Sequence, residues 1–173
     1  MNTARPVVYD LDGTLVRLPV DWGAAAEDAA AALRDAGVDP DGPDLWSLLE
    51  LARETGNADA FETAVGTHEC EAARKSSRLP LADELANTRG PVGVCSLNCE
   101  AACRVALETH GLADRVDAVV GRDSVGTHKP DPEPLLATLR AMGVEPSSAE
   151  FVGDSERDEV AARRAGVPFR WVD

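Results

Sequence analysis

Short apolar runs alternate along this chain with longer stretches in which apolar positions recur every three or four residues. The clearest runs are Pro6 to Tyr9, Pro91 to Cys95, Ala118 to Val120, Glu150 to Val152 and Pro168 to Val172. Each is too short for a helix of its own and reads as a strand. Between the second and fourth lie Glu100 to Thr109, with Val105 and Leu107, and Glu133 to Met142, with Leu135, Leu136 and Leu139. Both read as helices running into Gly111 and Gly143, and glycine after a periodic segment stops a helix. Strand and helix in alternation predict an α/β fold, a parallel sheet with right-handed crossovers and helices on both faces.

From about Arg17 to Ala86 the rhythm changes. Asp21 is placed to cap a helix whose inner face is Trp22, Ala25, Ala26, Ala29 and Leu33, and the segment from Gly37 to Pro43 reads as a turn. Leu45, Leu48, Leu49 and Ala52 predict a second helix, and Ala58 to Ala73 a third. No strand is expected here. The pattern divides the chain into a core of residues 1–16 and 87–173 and a small, purely helical insertion, 17–86, placed after the first strand as a lid or cap on the sheet's edge.

Composition narrows the function classes. The chain has 173 residues, 44% of them hydrophobic, enough for one substantial core. Met1 to Arg5 contain no apolar signal segment, and no run approaches the roughly 18 apolar residues of a spanning helix, so a cytoplasmic location is expected. With 31 acidic against 17 basic residues the formal charge is −14, which repels nucleic acid and anionic membranes. Two readings of that acidity stay open, a halophilic one in which a salt-rich cytoplasm screens self-repulsion, and an ordinary acidic surface. Cys70, Cys95, Cys99 and Cys103 lack paired metal-ligand spacing and read as small buried thiols.

In an open parallel sheet ligands bind beyond the carboxyl ends of the strands. The residues there are Asp10, Ser96, the Gly121 to Lys129 loop and Asp154. If the backbone stays extended through Leu11, Asp10 and Asp12 point to the same side, which suits two carboxylates dividing nucleophilic and acid–base work. Gly13 permits a turn and Thr14 offers a hydroxyl; a polar turn alone explains the same residues. Asp154 and Asp158 follow the fourth run, and a hard cation such as Mg²⁺ takes one or two carboxylates with water and phosphate oxygens. Helix capping by Asp154 and a solvated Asp158 are the plainer alternatives. Ser96 and Asn98 precede a helix, where hydroxyl, amide and backbone N–H groups suit a phosphate, or Asn98 simply caps. Lys129 is one of two lysines in the chain, and His128 beside it reads as a solvent-exposed loop residue.

Together these residues resemble the haloacid dehalogenase superfamily, in its phosphoglycolate phosphatase-like branch. The motifs occur in order: Asp-Leu-Asp-Gly-Thr-Leu at 10 to 15, Ser96 after an apolar strand, Lys129 before Pro-Asp-Pro, and Gly-Asp with a further Asp at 153 to 158. The resemblance implies a Rossmann-like three-layer sandwich and Mg²⁺-dependent hydrolysis of a small-molecule phosphate monoester through a phosphoaspartyl intermediate. It implies Asp10 as nucleophile and metal ligand, and Asp12 as acid and base with its backbone carbonyl on the metal. It implies Ser96 and Lys129 on the phosphoryl group beside Thr14 and Asn98, Asp154 as direct metal ligand, and Asp158 supporting the metal's water shell. Asp12 argues against dehalogenation, and a phosphonate-cleaving member needs a cap lysine, for which only Lys75 is available. A sugar-phosphate mutase and a non-catalytic binding or regulatory protein on the same fold are the alternatives. Specificity is expected from the cap, where Arg17, Trp22, Arg53, Arg74 and Arg78 stand and where an arginine can clamp a second anionic group.

Overall fold

The computed structural model describes residues 4–173; residues 1–3 of the N-terminal stretch lie outside it. In chain order the elements are β1 (Val7–Tyr9), β2 (Val16–Arg17), α1 (Trp22–Asp35), α2 (Leu45–Glu54), α3 (Ala58–Arg74), β3 (Ser77–Arg78) and α4 (Leu81–Asn87). There follow β4 (Val92–Cys95), α5 (Glu100–Thr109), β5 (Ala118–Val120), α6 (Glu133–Met142), β6 (Glu150–Gly153), α7 (Glu156–Ala165) and β7 (Phe169–Trp171). Five strands form one sheet in the order β5-β4-β1-β6-β7. All are parallel, with Val7 of β1 opposite Val92 on one side and Glu150 on the other.

Alternation along β1 separates the two faces of the sheet. Val7 and Tyr9 enter a cluster with Ala82 and Leu85 of α4 and Ala102 and Ala106 of α5. Val8 enters the opposite cluster with Leu135 and Leu139 of α6 and Ala162 of α7. The result is the three-layer α/β arrangement that the strand–helix alternation predicts.

The insertion has an apolar centre of its own, in which Ala26, Ala29 and Leu33 of α1 meet Leu48 and Leu49 of α2 and Phe61 and Val65 of α3. Asp21 caps α1 as expected, accepting from the Ala24 N–H at 3.0 Å. Two expectations need correction. The segment is not free of strands, because Val16–Arg17 pairs antiparallel with Ser77–Arg78; strands of two residues are too short to leave a period-two pattern. Trp22, expected on the inner face of α1, is 40% exposed. Among the described residues no helix is long and apolar enough to cross a membrane.

Candidate active site

The carboxyl ends of β1, β4 and β6, with the loop after β5, bring the motif residues to one cavity of about 410 Å³. Asp10 continues the β1 ladder for one residue, donating its N–H to the Val152 carbonyl at 2.9 Å. The chain then turns tightly, with the Thr14, Leu15 and Val16 N–H groups all directed at the Leu11 carbonyl. Leu11 is buried in the sheet core while Asp10 and Asp12 both line the cavity, as the same-side reading requires. Asp12 Oδ1 accepts from the Leu18 N–H at 3.0 Å, which fixes its carboxylate. Gly13 has φ +83°, and a Cβ there would sit 2.0 Å from Asp154 Oδ2, so only glycine lets the two loops approach.

Ser96 and Asn98 line the same cavity and hold one another. The Ser96 hydroxyl donates to Asn98 Oδ1 and accepts from the Asn98 N–H, both at 3.1 Å. Asn98 is not the cap of α5; Cys99 occupies that position. Likewise Ser155, not Asp154, caps α7, accepting from the Asp158 N–H. Asp158 is not solvated either, being 1% exposed. Each departure removes a purely structural explanation for a motif residue.

Lys129 is the charged centre. Its ammonium donates to Asp10 Oδ1 at 3.0 Å, Asp158 Oδ1 at 2.6 Å and the Cys95 carbonyl at 3.1 Å, which uses all three of its protons. Burial alone would lower the lysine pKa, but Asp10 and Asp158 outweigh it and hold the group charged. Asp10 is pushed up to about 8, by burial first and then by Asp158 and Asp154, against the pull of Lys129. Burial also raises Asp12, with Asp154 adding to it and the Leu18 N–H opposing. A carboxyl whose pKa is raised by burial holds its proton more readily than a free one, which suits acid–base work.

Ligand atoms of Asp10, Asp154 and Asp158 all lie within 4.8 Å of one another. Among the described residues Asp158 Oδ2 has no hydrogen-bond partner. Three carboxylates around one ammonium leave an excess of negative charge, and the donor set is oxygen only. That chemistry fits a hard divalent cation such as Mg²⁺.

The remaining walls come largely from the insertion. Trp22, Asp44, Leu45 and Trp46 face the cavity, together with Leu97 and Arg122. Trp46 stacks on His128, with ring centroids 4.9 Å apart and planes 18° off parallel. His128 is therefore half-buried, where a solvent-exposed ring was expected. Thr14 is fully buried and does not line this cavity; it borders a separate cleft with Arg17 and Arg170. Its Oγ1 has no partner among the described residues. Of the five cap positions expected to meet a substrate, only Trp22 reaches the cavity. Arg53 contacts His128, Arg74 lines another cleft, and Arg78 pairs with Asp83. Lys75 pairs with Glu71 on the surface.

Arg122 escapes a reading of the sequence. It is 2% exposed and binds both carboxylate oxygens of Glu62, at 3.1 and 2.6 Å. It also lies 2.6 Å from Glu69 and donates to the Leu97 carbonyl at 3.0 Å. Glu69 in turn accepts from the Cys99 N–H at 2.7 Å. This buried network ties α3 of the insertion to the Ser96–Cys99 loop. Its signal in the sequence is Glu62 and Glu69 interleaved with Phe61 and Val65 on a helix that otherwise reads as apolar-faced.

The model of the haloacid dehalogenase-like hydrolases matches residues 58–172. A phosphoglycolate phosphatase of Rhodospirillum rubrum is 37% identical over 186 residues, spanning 95% of this chain and 77% of that protein. One of Aquifex aeolicus is 29% identical, spanning 94% and 82%. In fold the chain is similar to a HAD phosphatase from Thermococcus onnurineus, with TM-score 0.66 and 24% identity across 98% of this chain and 86% of that one. The chain belongs to the haloacid dehalogenase-like hydrolase family and is an enzyme of its phosphatase type.

Proposed function

We propose that this protein hydrolyses small-molecule phosphate monoesters through a phosphoaspartate at Asp10, with Mg²⁺ held by Asp10, Asp154 and the Asp12 backbone carbonyl and supported by Asp158. The observation that carries the reading is Asp10 at the end of the central strand, bonded to Lys129 and within reach of two further carboxylates. The cation, when bound, neutralises charge on the carboxylates and on the phosphoryl oxygens.

In the first half-reaction an Asp10 oxygen attacks phosphorus, the bond from phosphorus to the ester oxygen breaks, and Asp12 gives its proton to the departing alkoxide. In the second, Asp12 takes a proton from water, the resulting hydroxide attacks phosphorus, and the acyl phosphate bond breaks to return the Asp10 carboxylate and inorganic phosphate. Ser96 binds the phosphoryl oxygens, Lys129, bonded to Asp10 and Asp158, supplies positive charge beside them, and Asn98 orients the Ser96 hydroxyl. Positioning and charge stabilisation of this kind carry most of a phosphoryl transfer.

The test is phosphate release from a panel of small esters, with and without Mg²⁺, at low and at molar salt, for the wild type and Asp10→Asn. Release that depends on the cation and vanishes in the variant supports the assignment. Release that survives Asp10→Asn contradicts it.

A further inference from the structure

The phosphoryl end of the cavity is charged, but the walls supplied by α1 and α2 are not built for a second anion. Two basic side chains line the cavity, Arg122 and Lys129. Lys129 spends all three protons on Asp10, Asp158 and Cys95. Arg122 faces two carboxylates, so a substrate carboxylate would have to displace Glu62 or Glu69. Arg53 and Arg157 are nearby, engaged with His128 and with the Trp46 ring at 5.1 Å, and neither lines the cavity.

The remaining cap-side surface is aromatic and apolar. Trp22 leaves 40% of its surface in water at the cavity wall, in a helix whose buried positions are alanine and leucine. Trp46 is held in place between His128 and Arg157. Leu45 and Leu97 complete the apolar lining, and the one charged group that the cap adds is Asp44, an exposed carboxylate that caps α2 and accepts from Ser47. Hydrogen bonding to Ser47 lowers its pKa, so it is anionic at neutral pH. A tryptophan-walled cavity with a fixed negative charge attracts planar apolar groups and repels carboxylates.

We propose that this cavity selects phosphate monoesters whose leaving alcohol is aromatic or otherwise apolar and bears no second anionic group, with Trp22 and Trp46 as the recognising side chains and Asp44 as the excluding one. The proposal rests on the phosphatase reading above and departs from the carboxylate-bearing ester named for the relatives.

Benzyl phosphate and phosphoglycolate are both esters of primary alcohols, so a difference in kcat/KM between them reports binding of the leaving group. Acetyl phosphate, an activated acyl phosphate with a small leaving group, reports whether the phosphoryl site works at all. The wild-type enzyme with Mg²⁺ should prefer benzyl phosphate over phosphoglycolate by at least about tenfold. Trp22→Ala should reduce that ratio through the benzyl substrate, and Asp44→Asn, which keeps a capping side chain, should reduce it through better use of phosphoglycolate. Preference for phosphoglycolate, or equal effects of Trp22→Ala on both esters, would overturn the proposal while leaving the phosphatase reading intact; turnover of acetyl phosphate with neither ester would overturn the proposal and leave only the phosphoryl-transfer site supported. No turnover of any of the three would overturn the phosphatase reading, and the proposal with it.

Discussion

Two buried cations in this molecule each face two carboxylates, and they differ in what is left over. Around Arg122 two carboxylates share one guanidinium. Glu62 is hydrogen-bonded through both oxygens, and Glu69 is ion-paired with Arg122 and accepts the N–H at the start of α5, where the helix dipole favours an anion. Around Lys129 a third carboxylate, Asp154, adds to Asp10 and Asp158; an oxygen without a hydrogen-bond partner among the described residues occurs in both clusters, at Asp158 and at Glu69. Burial raises carboxyl pKa values in both places, at Glu69 and at Asp10. Both cations line the cavity, but only the second cluster presents its carboxylates to it, three of them against one ammonium. A cluster whose carboxylates stay out of the cavity ties elements together; one that presents them to it can bind and react.

Removing a cation tests the contrast most strongly. Arg122→Met leaves Glu69 buried without its partner and should destabilise the protein by about 3–5 kcal/mol, read as a fall in Tm. Adding Glu69→Gln in the same chain should recover part of that loss, because the uncompensated charge is then gone. Lys129→Met should lower kcat by about 100- to 1,000-fold, since it removes the positive charge that holds the nucleophile and offsets charge at the phosphoryl group. Steady-state kinetics with a turned-over ester checks it.

A third expectation concerns pH. Burial pushes the Asp10 carboxyl up to about 8, so cation and proton compete for that carboxylate. Mg²⁺ affinity, measured by calorimetry, should therefore rise with pH, by up to about tenfold per unit below that value, and level off above it.

The smallest effect belongs to the surface. Partial burial pushes the Glu84 pKa up, but hydrogen bonds from Arg170 and from the Tyr9 hydroxyl bring it below its ordinary value. A depressed carboxyl pKa contributes stability above the unfolded value and loses it as pH falls through the folded one. Both charged side chains are more than a third exposed, so solvent screening keeps the contribution small. Glu84→Gln should cost less than about 1 kcal/mol at neutral pH, and the difference should disappear in acid melts.

The sequence made the Lys129 cluster legible and left the Arg122 cluster hidden, for a physical reason. Asp10, Ser96 and Asp154 each follow a short apolar run, so strand periodicity alone carries them to one edge, and α5 and α6 end where the glycines indicate. Lys129 stands out because lysine is scarce in this chain. Arg122 is one arginine among many, and its meaning depends on Glu62 and Glu69, some sixty residues earlier on a helix whose docking no local pattern reports. Trp46 is similar, because its place in the wall depends on stacking with His128 of the loop after β5. Thr14 shows the opposite failure, a hydroxyl in the right motif that packs behind the turn, away from the cavity that holds Asp10.

The contrast between the clusters is tested most directly by Mg²⁺-dependent melting of the wild type, Asp154→Asn and Glu69→Gln. If only the Lys129 cluster is a cation site, the wild-type Tm climbs with Mg²⁺, with a gain of about 2.7 kcal/mol at a hundredfold excess over Kd. Glu69→Gln starts lower and climbs equally, while Asp154→Asn stays flat. A wild-type Tm indifferent to Mg²⁺, or an Asp154→Asn variant that climbs as the wild type does, would contradict it.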